Sequence, residues 1–135
     1  MSEQEYLSEA RFWASRNEYG KAIDVLEQAV AIGDESSEIC KELAKLSLTV
    51  NEVRAFANWC HEAMRIDGAD PEPYLMISRV LVMNKRWAEA IESLQKVIAN
   101  GRLNPEEAQE ADSLLARSHQ GYAEYRKAHP GTSNL

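Results

Sequence analysis

Three basic residues recur at a constant interval in an acidic chain. The numbers of Arg11, Lys45 and Arg79 increase in equal steps of 34, whereas the chain has 15 Lys and Arg against 22 Asp and Glu, a formal net charge of -7. Guanidinium and ammonium groups pair with carboxylates, and a guanidinium can do so through two parallel hydrogen bonds. If the interval reflects a structural repeat, the three side chains occupy equivalent positions and could bind acidic groups.

The remaining titratable residues do not form a pattern that could carry catalysis. The three histidines, His61, His119 and His129, lack the spacing of metal ligands, and the sequence has no Cys-x-x-Cys motif, glycine-rich phosphate loop or nucleophile motif. The acidic pair Glu106-Glu107 lies at a predicted helix N-terminus, where the helix dipole favours negative charge. We expect no enzymatic activity, no metal and no cofactor.

Composition predicts a globular domain that does not bind polyanions. A length of 135 residues suits one domain, and the charge of -7 argues against general nucleic-acid binding and against docking on an anionic membrane. No apolar run is long enough to cross a membrane, and the N-terminus lacks the basic and apolar parts of a signal peptide, so we expect a cytoplasmic protein. Cys40 and Cys60 lie at core-type helical positions, which favours reduced, buried thiols over a disulfide.

The spacing of apolar residues predicts seven helices. Ser2 with Glu5 forms a capping-box pattern that starts a first helix over residues 3–16, and Asn17 allows a tight turn into a second helix that ends at Gly33. Further turns are expected at Asn51 and at Asn84-Lys85. The later helices are predicted from about Ser36 to Asn51, Val53 to Gly68, Asp70-Pro71 to Asn84, Trp87 to Ile98, and Asn104-Pro105 to Ala128.

Two segments of the chain have the same build. Residues 18–30 and 86–98 each carry an aromatic, a small, a large and a small-to-medium residue at spacings of three, four and three, which places all four on one helix face. Ala22 and Ala90 occupy the same place in the two segments, and their numbers differ by twice 34. This period resembles the tetratricopeptide repeat. The resemblance implies an all-α fold: a right-handed α-solenoid of three helix-turn-helix hairpins plus one capping helix.

The resemblance also implies domain boundaries. The predicted domain covers residues 1–128, with repeats over about 3–36, 37–70 and 71–104 and a capping helix over about 105–128. Residues 129–135 are polar and broken by a proline, so we expect a disordered tail. The capping helix and the tail together favour a complete array of three repeats.

The middle repeat departs from the family pattern. Phe56 stands at a small position and Cys60 at a large one, a swap that roughly conserves core volume and typically costs under about 1.5 kcal/mol. A register with Ala57 at the small position would bury Arg54 and His61 without partners, which costs more. We therefore expect Phe56 and Cys60 to be buried. The first repeat matches at Tyr6, Ala10, Trp13, Tyr19, Ala22, Leu26 and Ala29, and the third at Tyr74, Ser78, Leu81, Trp87, Ala90, Leu94 and Val97.

In proteins similar to this one, the first helices of successive hairpins line a concave groove that holds a peptide. By the same register, one row of groove residues would be the three basic residues, flanked by aliphatic side chains, which predicts a partner with acidic and apolar residues. The predicted partner-binding residues are Leu7, Arg11, Lys41, Lys45, Leu48, Thr49, Leu75, Arg79, Val82, Met83 and Arg117. Beside them lie Ala14, Ser15 and Gln109.

The basic residues of the groove have another possible explanation, and one known mode of peptide binding is not expected. Arg11 and Lys45 could instead pair with Glu9, Glu38 or Glu42 of the chain itself, and such exposed pairs stabilise by only about 0–1 kcal/mol. The clamp that some relatives use for a C-terminal carboxylate requires Lys, Asn and Arg. The matching positions here hold Leu7, Arg11, Glu42, Glu72 and Met76, so this clamp is not expected.

Trp59 lies one residue before Cys60, off the predicted buried face. An exposed Trp there would provide a second contact or a dimer surface, whereas the alternative is that the ring folds back over Val53, Phe56 or the next repeat.

Three functions fit these observations. The first is an adaptor or scaffold that binds a segment of a partner protein in the groove. The second is a small cytoplasmic chaperone, similar to tetratricopeptide chaperones of secretion systems, that shields an amphipathic helix of its client. The third is a structural module that forms homo-oligomers through Trp59 or the open end of the solenoid.

Overall fold

The computed structural model describes residues 1–132. In that range the chain forms seven α-helices and one 3-10 turn and has no strand. The helices are α1 (Glu3–Ser15), α2 (Tyr19–Ala31), α3 (Ser37–Thr49), α4 (Val53–Ile66), α5 (Glu72–Met83), α6 (Trp87–Ala99) and α7 (Pro105–Ala128). The predicted number and order of helices are confirmed.

The helices belong to two compact units. Unit 1 covers Met1–Gly68 and holds the helical hairpins α1–α2 and α3–α4, and unit 2 begins at Ala69 and holds the hairpin α5–α6 followed by α7. Each unit has its own cluster of buried apolar side chains. The predicted disordered tail at 129–135 is only partly covered by the structure: Pro130–Thr132 form the 3-10 turn, and residues 133–135 lie outside the described range.

Helix starts follow local side-chain chemistry. The Ser2 hydroxyl accepts a hydrogen bond from the Glu5 amide at 3.2 Å, and the Asn104 side chain accepts one from the Glu107 amide at 2.8 Å; a reciprocal bond completes a capping box at both sites. Helix α5 starts one residue later than the sequence predicts. Pro71 precedes the helix, and the Asp70 carboxylate accepts from the amide of Glu72 at 3.0 Å.

The three hairpin turns repeat with the period of 34. The turn residues Asn17, Asn51 and Lys85 have φ angles of 61°, 63° and 58°, in the left-handed region that costs an L-residue roughly 1–2 kcal/mol. After each, the next amide donates to a carbonyl five residues earlier, at 2.8–2.9 Å. Asn tolerates this conformation better than Lys does. The third turn therefore uses the less suitable residue of its predicted Asn84-Lys85 pair.

The repeat residues form the helix packing. The second helix of each hairpin buries three residues at equivalent positions, and each of them is 0–1% exposed. The triplets are Ala22, Leu26 and Ala29; Phe56, Cys60 and Ala63; and Ala90, Leu94 and Val97. Arg54 and His61 are exposed, so the predicted register of the middle repeat is confirmed. Cys40 and Cys60 are both buried, as predicted, and neither belongs to a disulfide.

Residues 1–132 contain neither a membrane span nor a metal-binding cluster. No helix in this range is long and apolar enough to cross a membrane. The described residues also contain no group of three or more His, Cys, Asp or Glu side chains that could hold a metal ion.

Candidate partner-binding surfaces

In unit 1, the predicted basic residues lie on the exposed side of α1 and α3. The Arg11 side chain is 58% exposed, and its Nη2 lies 3.4 Å from Oε1 of Glu42 on α3. Lys45 follows Glu42 by three residues and is also exposed, so the two share one face of α3. The predicted alternative, an ion pair between Arg11 and Glu42, is therefore present, but as a single long contact.

In unit 2, Arg79 is held much more firmly. Its Nε donates to Oε2 of Glu110 on α7 at 2.6 Å, and its Nη2 donates to Oε1 at 2.7 Å. These hydrogen bonds lower the pKa of Glu110 and raise that of Arg79. The two side chains are 35% and 46% exposed, so water screens the pair and limits its contribution to stability.

The two ion pairs are equivalent by repeat. In each pair, the carboxylate follows the arginine by 31 residues and lies on the helix that follows the arginine's own hairpin. Arg79 follows Arg11 by two repeat periods. Glu42 is a predicted partner of Arg11, whereas Glu110 is not among the predicted residues. The same spacing applied to Arg79 would have found it.

Four predicted partner-binding residues are buried, which corrects the predicted groove. Leu7, Leu75 and Val82 are 2%, 1% and 2% exposed, because they pack into the helix layers. Lys41 is 6% exposed, with its Nζ 2.9 Å from Oε1 of Glu38. None of these side chains offers area to a partner, so the groove loses most of its predicted aliphatic flank.

The other predicted residues are exposed in both units. On α3, Leu48 is 39% exposed, and Thr49 is exposed with its hydroxyl donating to the Lys45 carbonyl at 2.9 Å. In unit 2, Met83 is 78% exposed one helical turn after Arg79, and Arg117 is exposed two turns after Glu110. We call Arg11, Lys45, Leu48 and Thr49 the unit 1 face, and Arg79, Met83 and Arg117 the unit 2 face.

Trp59 is half-buried, because its ring packs against the core of unit 1. It lines a cavity of about 420 Å³ between α2 and α4, together with Val30 and the carboxylates of Glu35 and Glu62. Arg65 lies between these carboxylates, with Nη2 2.5 Å from Glu62 and 3.9 Å from Glu35. The ring therefore packs on the protein, as in the predicted alternative, but against a cluster that contains neither Val53 nor Phe56.

Burial also defines the state of the Cys40 thiol beside this cavity. The residue is 0% exposed, and its Sγ lies 3.6 Å from Oε1 of Glu35. Burial first, and then the neighbouring Glu35 carboxylate, raise the pKa of Cys40 from 9.0 to about 12. The thiol is therefore protonated at neutral pH and is not a nucleophile.

Comparison by sequence gives no relative: no family model matches the chain, and no curated protein matches it. Comparison of folds, in contrast, finds similar solved structures. The chain is similar to the TPR2B domain of yeast Sti1, solved in complex with pHsp70, with a TM-score of 0.74, 17% identity, and 87% and 95% of the two chains covered.

Two further solved structures show the same likeness. The second TPR domain of human RPAP3, solved with the HSP70 peptide SGPTIEEVD, gives a TM-score of 0.68 at 14% identity and covers 84% of this chain and 92% of that one. The crystal structure of MamA gives a TM-score of 0.66 at 16% identity, and the match covers 96% of this chain and 77% of MamA. These similarities agree with the helix order, the 34-residue spacing of the turns and the buried residues of the second helices. The chain has the tetratricopeptide-repeat fold.

Proposed function

We propose that this chain is an adaptor that binds an acidic, partly apolar segment of a partner protein. The observation that supports this is the placement of exposed cations beside exposed apolar side chains, on both faces, in a chain with a net charge of -7. With more acidic than basic residues available, chance favours acidic residues at exposed positions. Exposed cations at equivalent repeat positions suit a ligand that carries carboxylates, although Arg11 and Arg79 each also pair with a glutamate of the chain.

The two faces differ in how they would engage carboxylates. Arg11 makes one contact of 3.4 Å with Glu42, so its guanidinium can turn to a ligand at little cost. Arg79 already makes two short hydrogen bonds to Glu110. A ligand carboxylate must share or displace that partner, so Glu110 orients Arg79 but also competes for it.

Solved structures of similar fold support a peptide as ligand. The RPAP3 domain was solved with SGPTIEEVD, which contains three acidic residues and three apolar ones, and YrrB, with a TM-score of 0.64 at 14% identity, is described as having an unusual peptide-binding site. The present chain lacks the residues of the carboxylate clamp, with Leu7, Glu42, Glu72 and Met76 at those positions. We therefore expect affinity to come from acidic side chains of the segment rather than from its C-terminal carboxylate.

Selection from a random peptide display library tests the proposal. Wild-type protein should enrich sequences that combine Asp or Glu with apolar residues. Reversing three charges at once, Arg11→Glu, Lys45→Glu and Arg79→Glu, should abolish capture of the enriched peptides while the helical circular dichroism signal of the folded protein is retained. Enrichment without acidic bias, or capture by the triple variant at wild-type level, would refute the adaptor.

A matched control separates the faces from net charge. The control variant changes the charge by the same amount at exposed positions outside both faces: Arg54→Glu, Lys96→Glu and Arg102→Glu. Its capture of the enriched peptides should stay within about twofold of the wild-type level. For the enriched peptides, replacing Glu by Gln should weaken binding more than amidating the C-terminus does. The opposite order would indicate a terminal clamp.

The chaperone alternative depended on an apolar row in the groove. Burial of Leu7, Leu75 and Val82 leaves only Leu48 and Met83 as large exposed apolar side chains at predicted groove positions. These two provide too little area to shield an amphipathic helix. The adaptor is therefore the function that we propose.

A further inference from the structure

Helix α7 extends beyond the helix on which it packs. It has 24 residues against 13 in α6 and runs antiparallel to it, because a short loop joins the end of α6 to the start of α7 and Gly121 of α7 lies against Trp87, the first residue of α6. Residues 122–128 therefore project about 10 Å past the start of α6, at about 1.5 Å per residue.

This projection and the turn before α6 enclose a pocket. Its volume is about 250 Å³, its aromatic lining consists of Trp87, Tyr122 and Tyr125, and the rest of the lining comes from Lys85, Arg86, Ala88 and Glu89. We call it the α6–α7 pocket. Drug-sized ligands occupy pockets of about 300–1,000 Å³, so this one suits a single large side chain rather than a cofactor.

The aromatic lining is ordered by neighbouring groups. The Tyr125 ring stacks on His129 with centroids 4.3 Å apart, and the guanidinium of Arg126 lies 5.8 Å from the Tyr122 ring centroid. Tyr125 is nevertheless 41% exposed. A partly exposed aromatic ring that is already held in place loses little entropy when it contacts a partner.

Two cations line the pocket and two more lie on the adjacent part of α7, in an otherwise acidic chain. Lys85 and Arg86 form its wall, and Arg126 and Lys127 follow Tyr125 directly and line the adjacent hollow on α7. Of the nearby acids, Glu89 is paired with Arg86, and Glu124 accepts a hydrogen bond from Gln120 at 3.3 Å. The charges of Arg86 and Glu89 cancel, and Lys85, Arg126 and Lys127 together exceed the single negative charge of Glu124. The local charge is therefore positive, opposite in sign to the net charge of -7.

We propose that the α6–α7 pocket docks an acidic segment of a partner protein through one aromatic anchor residue. The anchor enters between the rings of Trp87, Tyr122 and Tyr125, where flanking carboxylates of the segment contact the surrounding cations. A protein segment fits better than a nucleic acid or an anionic membrane, because extended polyanions are repelled by the rest of the chain.

This docking surface is separate from the Arg79–Glu110 pair of the unit 2 face, although Arg117 of that face lies beside Trp87. Glu110, the partner of Arg79, precedes Tyr122 by more than three turns of α7, which corresponds to about 18 Å along the helix axis. Variants of one surface can therefore be made without touching the other, and the two proposals can fail independently.

Trp87 can serve as the reporter of binding. The chain has three tryptophans, and the variant Trp13→Phe, Trp59→Phe leaves Trp87 alone. The probe is the blocked peptide acetyl-Glu-Glu-Phe-Glu-Glu-amide, titrated while Trp87 fluorescence is recorded. We expect a saturable change. Replacing Phe of the probe by Gly should weaken binding at least tenfold, and a peptide with Lys in place of Glu should not bind.

Protein variants assign the site. Tyr125→Ala and the pair Arg126→Glu, Lys127→Glu should each weaken binding at least tenfold; these positions are exposed, so the fold should be retained and is checked by circular dichroism. The control pair Lys96→Glu, Arg102→Glu changes the charge equally outside the pocket and should alter affinity less than threefold.

Four outcomes would overturn the proposal. They are the absence of a saturable Trp87 response, equal weakening by the control pair, tighter binding of an oligothymidylate than of the probe, and loss of probe binding in the Arg11→Glu, Lys45→Glu, Arg79→Glu variant with retention in Tyr125→Ala. The last would assign the probe to the unit 1 and unit 2 faces.

Discussion

Gly121 of α7 lies against the indole of Trp87 on α6, and the substitution Gly121→Ala tests whether this contact positions the capping helix. A Cβ atom at Gly121 would lie 2.4, 2.5 and 2.6 Å from Cε2, Cζ2 and Cδ2 of the Trp87 indole. Carbon atoms in van der Waals contact lie about 3.5–4.0 Å apart. The ring is rigid, so either α7 moves away by about 1 Å or the indole leaves its position.

Two opposing effects determine the change in stability. Forcing an extra carbon into packed structure typically costs about 1–3 kcal/mol. Replacing Gly by Ala inside a helix contributes about 0.5–1 kcal/mol in the other direction. We therefore expect Gly121→Ala to lower the free energy of unfolding by about 0.5–2 kcal/mol.

Urea unfolding followed by the helical circular dichroism signal measures this difference. A second background makes the test sharp: Trp87→Leu removes the indole atoms that the new Cβ would meet, so there Gly121→Ala should raise the free energy of unfolding by up to about 1 kcal/mol. The sign of the effect should thus reverse between the two backgrounds.

Gly20 provides the matched control. It lies within α2, and a Cβ built there meets no atom within 4 Å, so Gly20→Ala should stabilise the protein in either background. If Gly121→Ala stabilised the wild-type protein, or had the same sign with and without the indole, the close approach of Trp87 would not be what requires glycine at this position.

Three further predictions follow from the turns, the buried thiol and the ion pair. Lys85→Asn should raise the free energy of unfolding by roughly 0.5–1 kcal/mol, because Asn tolerates a φ of 58° better than Lys; a neutral or negative change in urea unfolding would contradict this. Burial raises the pKa of Cys40 to about 12, so its stabilising contribution is fully present below its ordinary value of 9.0 and is lost between pH 9 and 12, with a slope of up to about 1.4 kcal/mol per pH unit. Between pH 9 and 12, the free energy of unfolding should fall less steeply for Cys40→Ala than for the wild-type protein. An equally steep fall in the two proteins would refute the raised pKa of Cys40. Glu110→Gln removes the competitor for Arg79 and should strengthen acidic-peptide binding about two- to fivefold, since exposed pairs contribute about 0–1 kcal/mol; fluorescence polarisation would measure this, and weaker binding would mean that Glu110 mainly orients Arg79.

Local signals account for most of what could be predicted about the fold. Capping boxes at Ser2 and Asn104 and left-handed turns at Asn17 and Asn51 involve residues close in sequence, so their geometry follows from residue type. The start of α5 differs from the prediction by one residue because two adjacent signals, Asp70 and Pro71, both fit a helix start. The Asp70 carboxylate accepts a hydrogen bond from the amide of Glu72, the first residue of α5, so Asp70 lies two residues before the helix rather than directly before it.

The candidate site was predicted less well, because exposure is a property of packing. The 34-residue period identified equivalent positions but could not tell that Leu7 and Leu75 are buried while Leu48 and Met83 are exposed. Nor did it identify Glu110, which is distant in sequence from Arg79 and becomes its partner only when α5 packs on α7.

Residue type and the repeat period are enough to define the helices, their turns and the recurrence of basic residues, because these features depend on short stretches of chain. Helix packing had to be known before the two short hydrogen bonds of Arg79 could be distinguished from the single long contact of Arg11, and before Trp59 could be placed against unit 1. It was also needed to show that α7 extends past α6 and forms the pocket beside Trp87. These features depend on contacts between residues far apart in the chain, whose distances are fixed only when the helices pack.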